Sequence, residues 1–418
     1  MNVAVGDYQT RWLYFGIYGW LQCSGRFMSL YYKDAGLTDA EVGAVFAAGS
    51  VTSPFMTAAL GVLADRLAER HGPVARLVVF YGCVWWSTVS FTMQLFDWFG
   101  ASRFAVMLTC RVIMDMGRPA AISLLDAIAI AGLSDRYRYG EERLYGAYSW
   151  AIMGVAMGGL LNAWGPRVMH ACKPAMALLL GVLLWRSGRP PRRGPRPCVA
   201  AADGGAGAQS TVRELLRCYT SSCAKISFFL YAVSLGIGMT IVENLLFIYF
   251  RHLHASYFVC GLSVLVTVMF EIPLFGYSKR LLDIFGARGC LVITGFCYSF
   301  RVVGYTLVPG GAWVLFFEPM HGVTYAFWQT ASVEVMASIT PTELMATGQA
   351  FLTSLRNFVG VTVGNLLGGV VIDKFGEVAL YRGVAVLVGV GLATYVLATR
   401  RRALPNSAAS RALVPDAC

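Results

Sequence analysis

Twelve apolar stretches, most of them as long as a bilayer is thick, constrain what this chain can become. They run at 12–32, 41–63, 75–96, 104–131, 146–165, 174–186, 223–249, 257–277, 289–308, 313–337, 344–371 and 379–399. A helix rises about 1.5 Å per residue, so about 20 apolar residues cross a hydrocarbon core of about 30 Å. Only the stretch at 174–186 reads short. In lipid every backbone N–H and C=O must be satisfied within the protein, which leaves helices for runs of this length. The composition agrees: 57% of the 418 residues are hydrophobic and 14% are charged, against about 25% charged in a soluble domain. The spacing predicts an all-α membrane protein with twelve transmembrane helices and excludes a soluble enzyme with one anchor.

The segment RSGRPPRRGPRPCVAAADGGAGAQSTVR (186–213) is rich in Pro, Gly, Ala and Arg and has no apolar period. That is the composition of a flexible linker. It divides the chain into an N-terminal six-helix bundle (1–186), a linker (187–222), a C-terminal six-helix bundle (223–400) and a tail (401–418). With the N-terminus in the cytoplasm, the linker, the loop 61–72 and the tail share one side. That side holds a roughly three-fold excess of loop Lys and Arg, so both termini are expected to be cytoplasmic. The net charge of +11 then reflects basic loops against anionic lipid, and it calls for no nucleic acid partner. The start, MNVAVGDYQTRWLYF, lacks the basic n-region of a signal peptide, and the terminal Cys418 forms no prenylation box.

Charges inside the apolar stretches narrow the function. Five Arg (Arg26, Arg111, Arg118, Arg301, Arg356) lie there beside six acids (Asp115, Asp126, Glu243, Glu271, Glu318, Glu334). A mid-membrane charge costs at least about 3 kcal/mol on insertion scales, so such groups face a protein interior or a water-filled cavity. Arg111, Asp115 and Arg118 are spaced i, i+4, i+7 along one stripe. Two readings stand: a substrate site for an anionic or polyhydroxylated group, or an ion cluster bracing the helices. Glu271 lies within its helix beside Pro273. Apolar surroundings favour the neutral form of a carboxyl, which suits a proton carrier, and a static ion-pair partner is the alternative. Glu243 and Asn244 suit either substrate hydroxyls or a helix cross-link.

His321 and Glu318, three apart, share a helix face. Glu318, directly before Pro319, is expected at the outer surface in water, and Glu334 and Asp126 near cytoplasmic helix ends. Asp65, Arg66 and Arg70, at the end of the second stretch, read as a gate brace in which basic groups bridge to neighbouring helices.

Enzyme chemistry has no foothold. There is no GxSxG, P-loop or Cys–His pair, and the eleven Cys are scattered without metal-ligand spacing. His71, His170, His252 and His254 fall in or beside loops. No cofactor or metal is expected.

The chain also repeats itself. GGLLNAWG (158–165) returns as GGVVIDKFG (368–376), and GVLADRLAERHG (61–72) has a counterpart in GYSKRLLDIFGARG (276–289). Two such halves about a basic linker resemble the parallel-repeat plan of the major facilitator superfamily, and GVLADRLAERHG resembles that family's loop 2–3 signature, with Ala68 and Glu69 departing from it. YGEERLYGAYSW (139–150) and SFRVVG (299–304) are similar to helices 5 and 9 of lactose permease. VENLLFIYF (242–250), EIPLF (271–275) and MHGVTYAFW (320–328) look like helices 7, 8 and 10 of the macrophage MHC-receptor homologues.

The resemblance implies two pseudo-symmetric bundles rocking about a central cavity lined by helices 1, 4, 7 and 10. It implies sugar-binding roles for Arg143 and Trp150, a buried Arg in Arg301, a substrate-site His in His321 and an acid of the nucleoside symporters in Glu271. Lactose permease keeps its proton-carrying Glu three residues after the helix 10 His, where this chain has Thr324.

Together these readings predict a secondary transporter of a small polar solute, saccharide- or nucleoside-like, with the proton as coupling ion, carried by Glu271 and its release favoured by a nearby Arg such as Arg301. Arg111, Asp115, Arg118, Arg143, Trp150, Glu243, Asn244 and His321 are expected at the substrate. An uncoupled facilitator and a non-transporting receptor or scaffold on the same fold are the alternatives.

Overall fold

The computed structural model describes residues 5–96, 100, 102–132, 139–187, 215–341 and 344–400. Among them all regular structure is helical. The first part of the chain forms α1 (Val5–Gln22), α2 (Met28–Asp34), α3 (Asp39–His71), α4 (Val74–Thr92), α5 (Arg103–Gly132), α6 (Tyr139–Trp164) and α7 (Met169–Ser187). The second part forms α8 (Cys223–His252), α9 (Tyr257–Gly276), α10 (Ser278–Tyr305), α11 (Pro319–Ile339), α12 (Met345–Ser354) and α13 (Val361–Arg400). A π-helical turn, Leu355–Gly360, joins α12 to α13. Eight of the described helical segments are long and apolar enough to cross a membrane, as a multi-pass integral membrane protein requires. Of the expected linker, 188–214 lie outside the described residues, as does the tail 401–418, while 215–220 form a short helix.

The helices depart from the apolar stretches where backbone or burial intervenes. The first stretch is two helices, not one: α1 stops at Gln22, Gly25 turns with a φ of 24°, and α2 restarts at Met28. That break takes Arg26 out of regular helix and leaves it buried. The short sixth stretch extends back to Met169. Its added turn carries the buried Lys173, whose Nζ donates to Ser24 Oγ at 2.8 Å, so polarity there is internal and hides the span from an apolarity count. The tenth stretch starts as a 3-10 segment, Gly311–Phe316, before α11. The last two stretches run together in α13 about a turn at Gly376, whose φ of 80° suits a residue without Cβ.

At the end that holds Asp39 and Tyr257, helices of the first and second parts cross closely. A Cβ at Gly158 of α6 would lie 2.6 Å from the Tyr257 carbonyl oxygen, and one at Gly369 of α13 would lie 3.0 Å from Ala40 Cα. Only glycine allows both approaches. The Asp373 carboxylate of α13 accepts from the backbone N–H groups of Asp39 and Ala40 at 2.9 and 2.8 Å, satisfying free donors at the start of α3. Tyr257 donates to Asp34 at 3.3 Å across the same seam.

Candidate functional site

Away from that seam, helices of the two parts enclose a cavity of about 700 Å³. It reaches Gly140, near the start of α6, and Phe275, near the end of α9.

One wall comes from α1 and α6. Gly146 admits the Tyr18 ring, since a Cβ there would lie 2.6 Å from it. Tyr18 therefore stands edge-on to Trp150, with centroids 6.4 Å apart. The Arg143 guanidinium sits 5.6 Å over the Tyr18 ring and donates to Asp126 at 3.0 Å. Tyr18, Arg143 and Trp150 all line the cavity. Aromatic faces beside donors are suited to a flat, hydroxyl-bearing solute.

The facing wall belongs to α8, α9, α11 and the π turn. His321, Tyr325 and Gln329 follow at four-residue steps and form one stripe of α11; the His321 and Tyr325 rings are near parallel, 6.0 Å apart. Gly322 lets α9 approach so closely that a Cβ there would lie 2.7 Å from the Glu271 nitrogen. Glu271 thus borders the same space, and it has no ion pair or hydrogen bond among the described residues. Arg26 crosses from the α1–α2 break to α8: its Nε and Nη2 donate to the two Glu243 oxygens at 3.0 and 2.6 Å. Arg26 is 4% exposed and Glu243 43%. The arginine is the buried anchor, and the carboxylate is presented to the cavity.

Behind His321 lies a buried polar network. Arg301 donates through Nη1 to His321 Nδ1 at 2.7 Å and through Nη2 to Glu318 Oε2 at 2.9 Å, and Tyr305 joins Arg301 to Glu318. Glu318 is therefore not solvated. It is fully buried, because the turn before Pro319 folds it inward onto α10. The expectation of an outer-surface carboxylate fails because Arg301 and Tyr305, from another helix, each donate a charge-assisted hydrogen bond to it. The position three after the His is empty of an acid, and the acid of this network stands three before it.

Other expected residues fall elsewhere. Asp115 is held between Arg111 Nε at 2.6 Å and Arg118 Nε at 3.0 Å, with Arg111 over Phe46 at 4.6 Å. None of the three lines the cavity that His321 borders. This stripe of α5, the helix of the fourth apolar stretch, is spent on its own pairing, and the lining expected from that helix is replaced by α6, α9 and the π turn. Asn244 donates to Asn365 at 3.0 Å and cross-links α8 to α13 rather than facing the cavity. Asp65 pairs with Arg76 at 2.9 Å, across the α3–α4 turn, while Arg66 and Arg70 are exposed; among the described residues no bridge joins them to the second part. Asp126 is bound from α1 and α6, by Tyr14 and Arg143. Tyr18, Tyr325, Gln329 and Asn357 escaped the sequence reading. The four-residue step from His321 marks Tyr325, whereas nothing local marks Tyr18.

Known proteins give this arrangement a family. The MFS_1 like family model matches residues 8–383. The maltose permease of Geobacillus stearothermophilus is 24% identical over 72% of this chain and 74% of its own length. The raffinose permease of Escherichia coli is 20% identical over 77% and 75%. Among solved structures, the nucleoside transporter NupG superposes with a TM-score of 0.73 over 94% of this chain and 99% of its own, at 15% identity. The D-xylose–proton symporter does so with 0.63 over 96% and 99%, at 17%. These relatives are permeases and not enzymes. The chain belongs to the MFS_1 like family, and with it to the transporters of the major facilitator superfamily.

Proposed function

We propose that this protein is a secondary transporter that carries a small polar organic solute through the cavity by alternating access. The observation that carries the reading is the cavity itself. It is lined by both parts of the chain, mixes aromatic faces with polar and charged groups, and is shut at one end by glycine-tight crossings. In this reading the protein has twelve transmembrane helices in two six-helix bundles, 1–186 and 223–400, joined by the linker 187–222. The basic loops put both termini in the cytoplasm, so the described conformation is open inward.

Tyr18, Arg143 and Trp150 hold the solute from the first bundle, and Glu243, His321 and Gln329 from the second. Glu271 carries a coupled proton. It borders the cavity with no cation pinned to it, and Glu243, Arg26 and Tyr325 are its charged and titratable neighbours. A carboxyl free of a fixed counter-ion can gain and lose a proton as the helices around it move. Asp65 works at the cytoplasmic gate. Its pairing with Arg76 leaves Arg66 and Arg70 available to the other bundle when that end closes.

The test is counterflow in proteoliposomes of the purified chain, run with maltose, D-xylose, uridine and D-glucuronate. Exchange of at least one solute above protein-free vesicles is expected. Glu271→Gln should keep exchange and lose accumulation driven by a pH gradient. No exchange of any solute sinks the transport reading, and undiminished proton-driven accumulation by the Gln variant sinks the role of Glu271.

A further inference from the structure

The charges around the cavity are not all paired, and the cation without a carboxylate sits at an irregular piece of backbone. Arg26 is matched by Glu243, Arg143 by Asp126, and Arg301, behind the wall, by Glu318. Arg356 borders the cavity and has no ion pair or hydrogen bond among the described residues. It is the second residue of the π turn Leu355–Gly360, and Asn357, next to it, also lines the cavity. A π turn carries one extra residue per turn and re-aims side chains, so it persists where packing compensates the lost helical geometry.

That packing is visible. A Cβ at Gly236 of α8 would lie 2.8 Å from Arg356 Cγ, and one at Gly360 would lie 2.8 Å from the Gly236 carbonyl carbon. Two glycines on facing turns thus clamp the π turn to α8 and fix the stem of Arg356. A guanidinium held this way, half-buried and without a carboxylate, is a costly arrangement unless a ligand completes it.

Building on the transport reading above, we infer that the solute is an anion of the sugar-acid type. Its carboxylate is received by the Arg356 guanidinium beside Asn357, while its hydroxyls and ring face meet Glu243, Gln329, Trp150 and Tyr325. The unpaired Glu271 fits the same account. With Glu271 protonated and one monoanion bound, the loaded cavity carries no net charge, the cheapest state to move through a low-dielectric protein. One proton and one monoanion then cross together without net charge movement.

The experiment is titration calorimetry on the purified full-length protein at fixed ionic strength, with D-glucuronate and D-glucose. These two probes differ only in carboxylate against hydroxymethyl at C6. D-glucuronate should bind wild type at least about ten-fold tighter than D-glucose, the range of a charge-assisted hydrogen bond. Arg356→Gln should erase that preference, and Arg356→Lys, which keeps the charge and controls for folding, should retain part of it. In proteoliposomes, D-glucuronate uptake should follow the pH gradient and ignore a potassium-diffusion potential.

Equal binding of the two probes, failure of wild type to bind D-glucuronate, or a preference that survives in a folded Arg356→Gln overturns the inference. Exchange of maltose, D-xylose or uridine without D-glucuronate overturns it and leaves the transport reading standing. Absence of all exchange removes both.

Discussion

Arg301 and Glu318, 17 residues apart on either side of a turn, form an ion pair of 2.9 Å in which neither side chain is more than 1% exposed. A buried pair contributes little beyond an apolar pair of the same size, but removing one partner strands a charge at a cost of about 3–5 kcal/mol. Glu318→Gln should therefore lower the thermal midpoint of the detergent-purified protein strongly, and Arg301→Gln should do the same. The double substitution should be less harmful than the two single losses added together. An unchanged midpoint in Glu318→Gln would return that residue to the solvated role its position before Pro319 suggested.

Lys173 gives the opposite expectation. It is fully buried, donates to Ser24, and lies 4.4 Å over the Trp20 ring and 5.3 Å over Phe91. Desolvating an ammonium costs several kcal/mol, and a desolvated cation–π contact returns about 2 kcal/mol. Desolvation wins. Lys173→Met should raise the thermal midpoint, and a lower midpoint would mean that the cation is worth more to this core than its burial costs.

The α6–α9 crossing should act as a latch. Gly158→Leu puts a branched side chain against the Tyr257 carbonyl, which the observed approach leaves no room for. The closed end should then open. Spin labels on Ala35→Cys and Leu253→Cys should move apart by several ångströms relative to the same labels in the native background. A distance distribution unchanged by the leucine would show that this contact does not hold the end shut.

Asp65 and Arg76 are both partly exposed, so their pair is worth about 0–1 kcal/mol to folding. Asp65→Asn should leave the thermal midpoint nearly unmoved and solute affinity within a few-fold, yet slow counterflow. Loss of affinity in a folded Asp65→Asn protein would place its effect at the solute and not at the gate.

The apolar stretches by themselves determined that this chain crosses a membrane as helices, since length and hydropathy are properties of consecutive residues. They also marked which charges are costly and so face a protein interior or a cavity, and the stripe of Arg111, Asp115 and Arg118 could be drawn from helical spacing alone. Which charges meet was decided by tertiary structure. Arg26 and Glu243 are 217 residues apart, and no local period joins them. Arg111 and Asp115 satisfy each other within one helix and leave the cavity to others. The inward turn of Glu318 depends on Arg301 and Tyr305 arriving from another helix, and the π turn that presents Arg356 depends on Gly360 meeting Gly236 of α8. Sequence spacing fixes the face of a helix on which a residue lies, but what that face opposes is set only when helices pack, because the energy of a buried charge belongs to its neighbours in space.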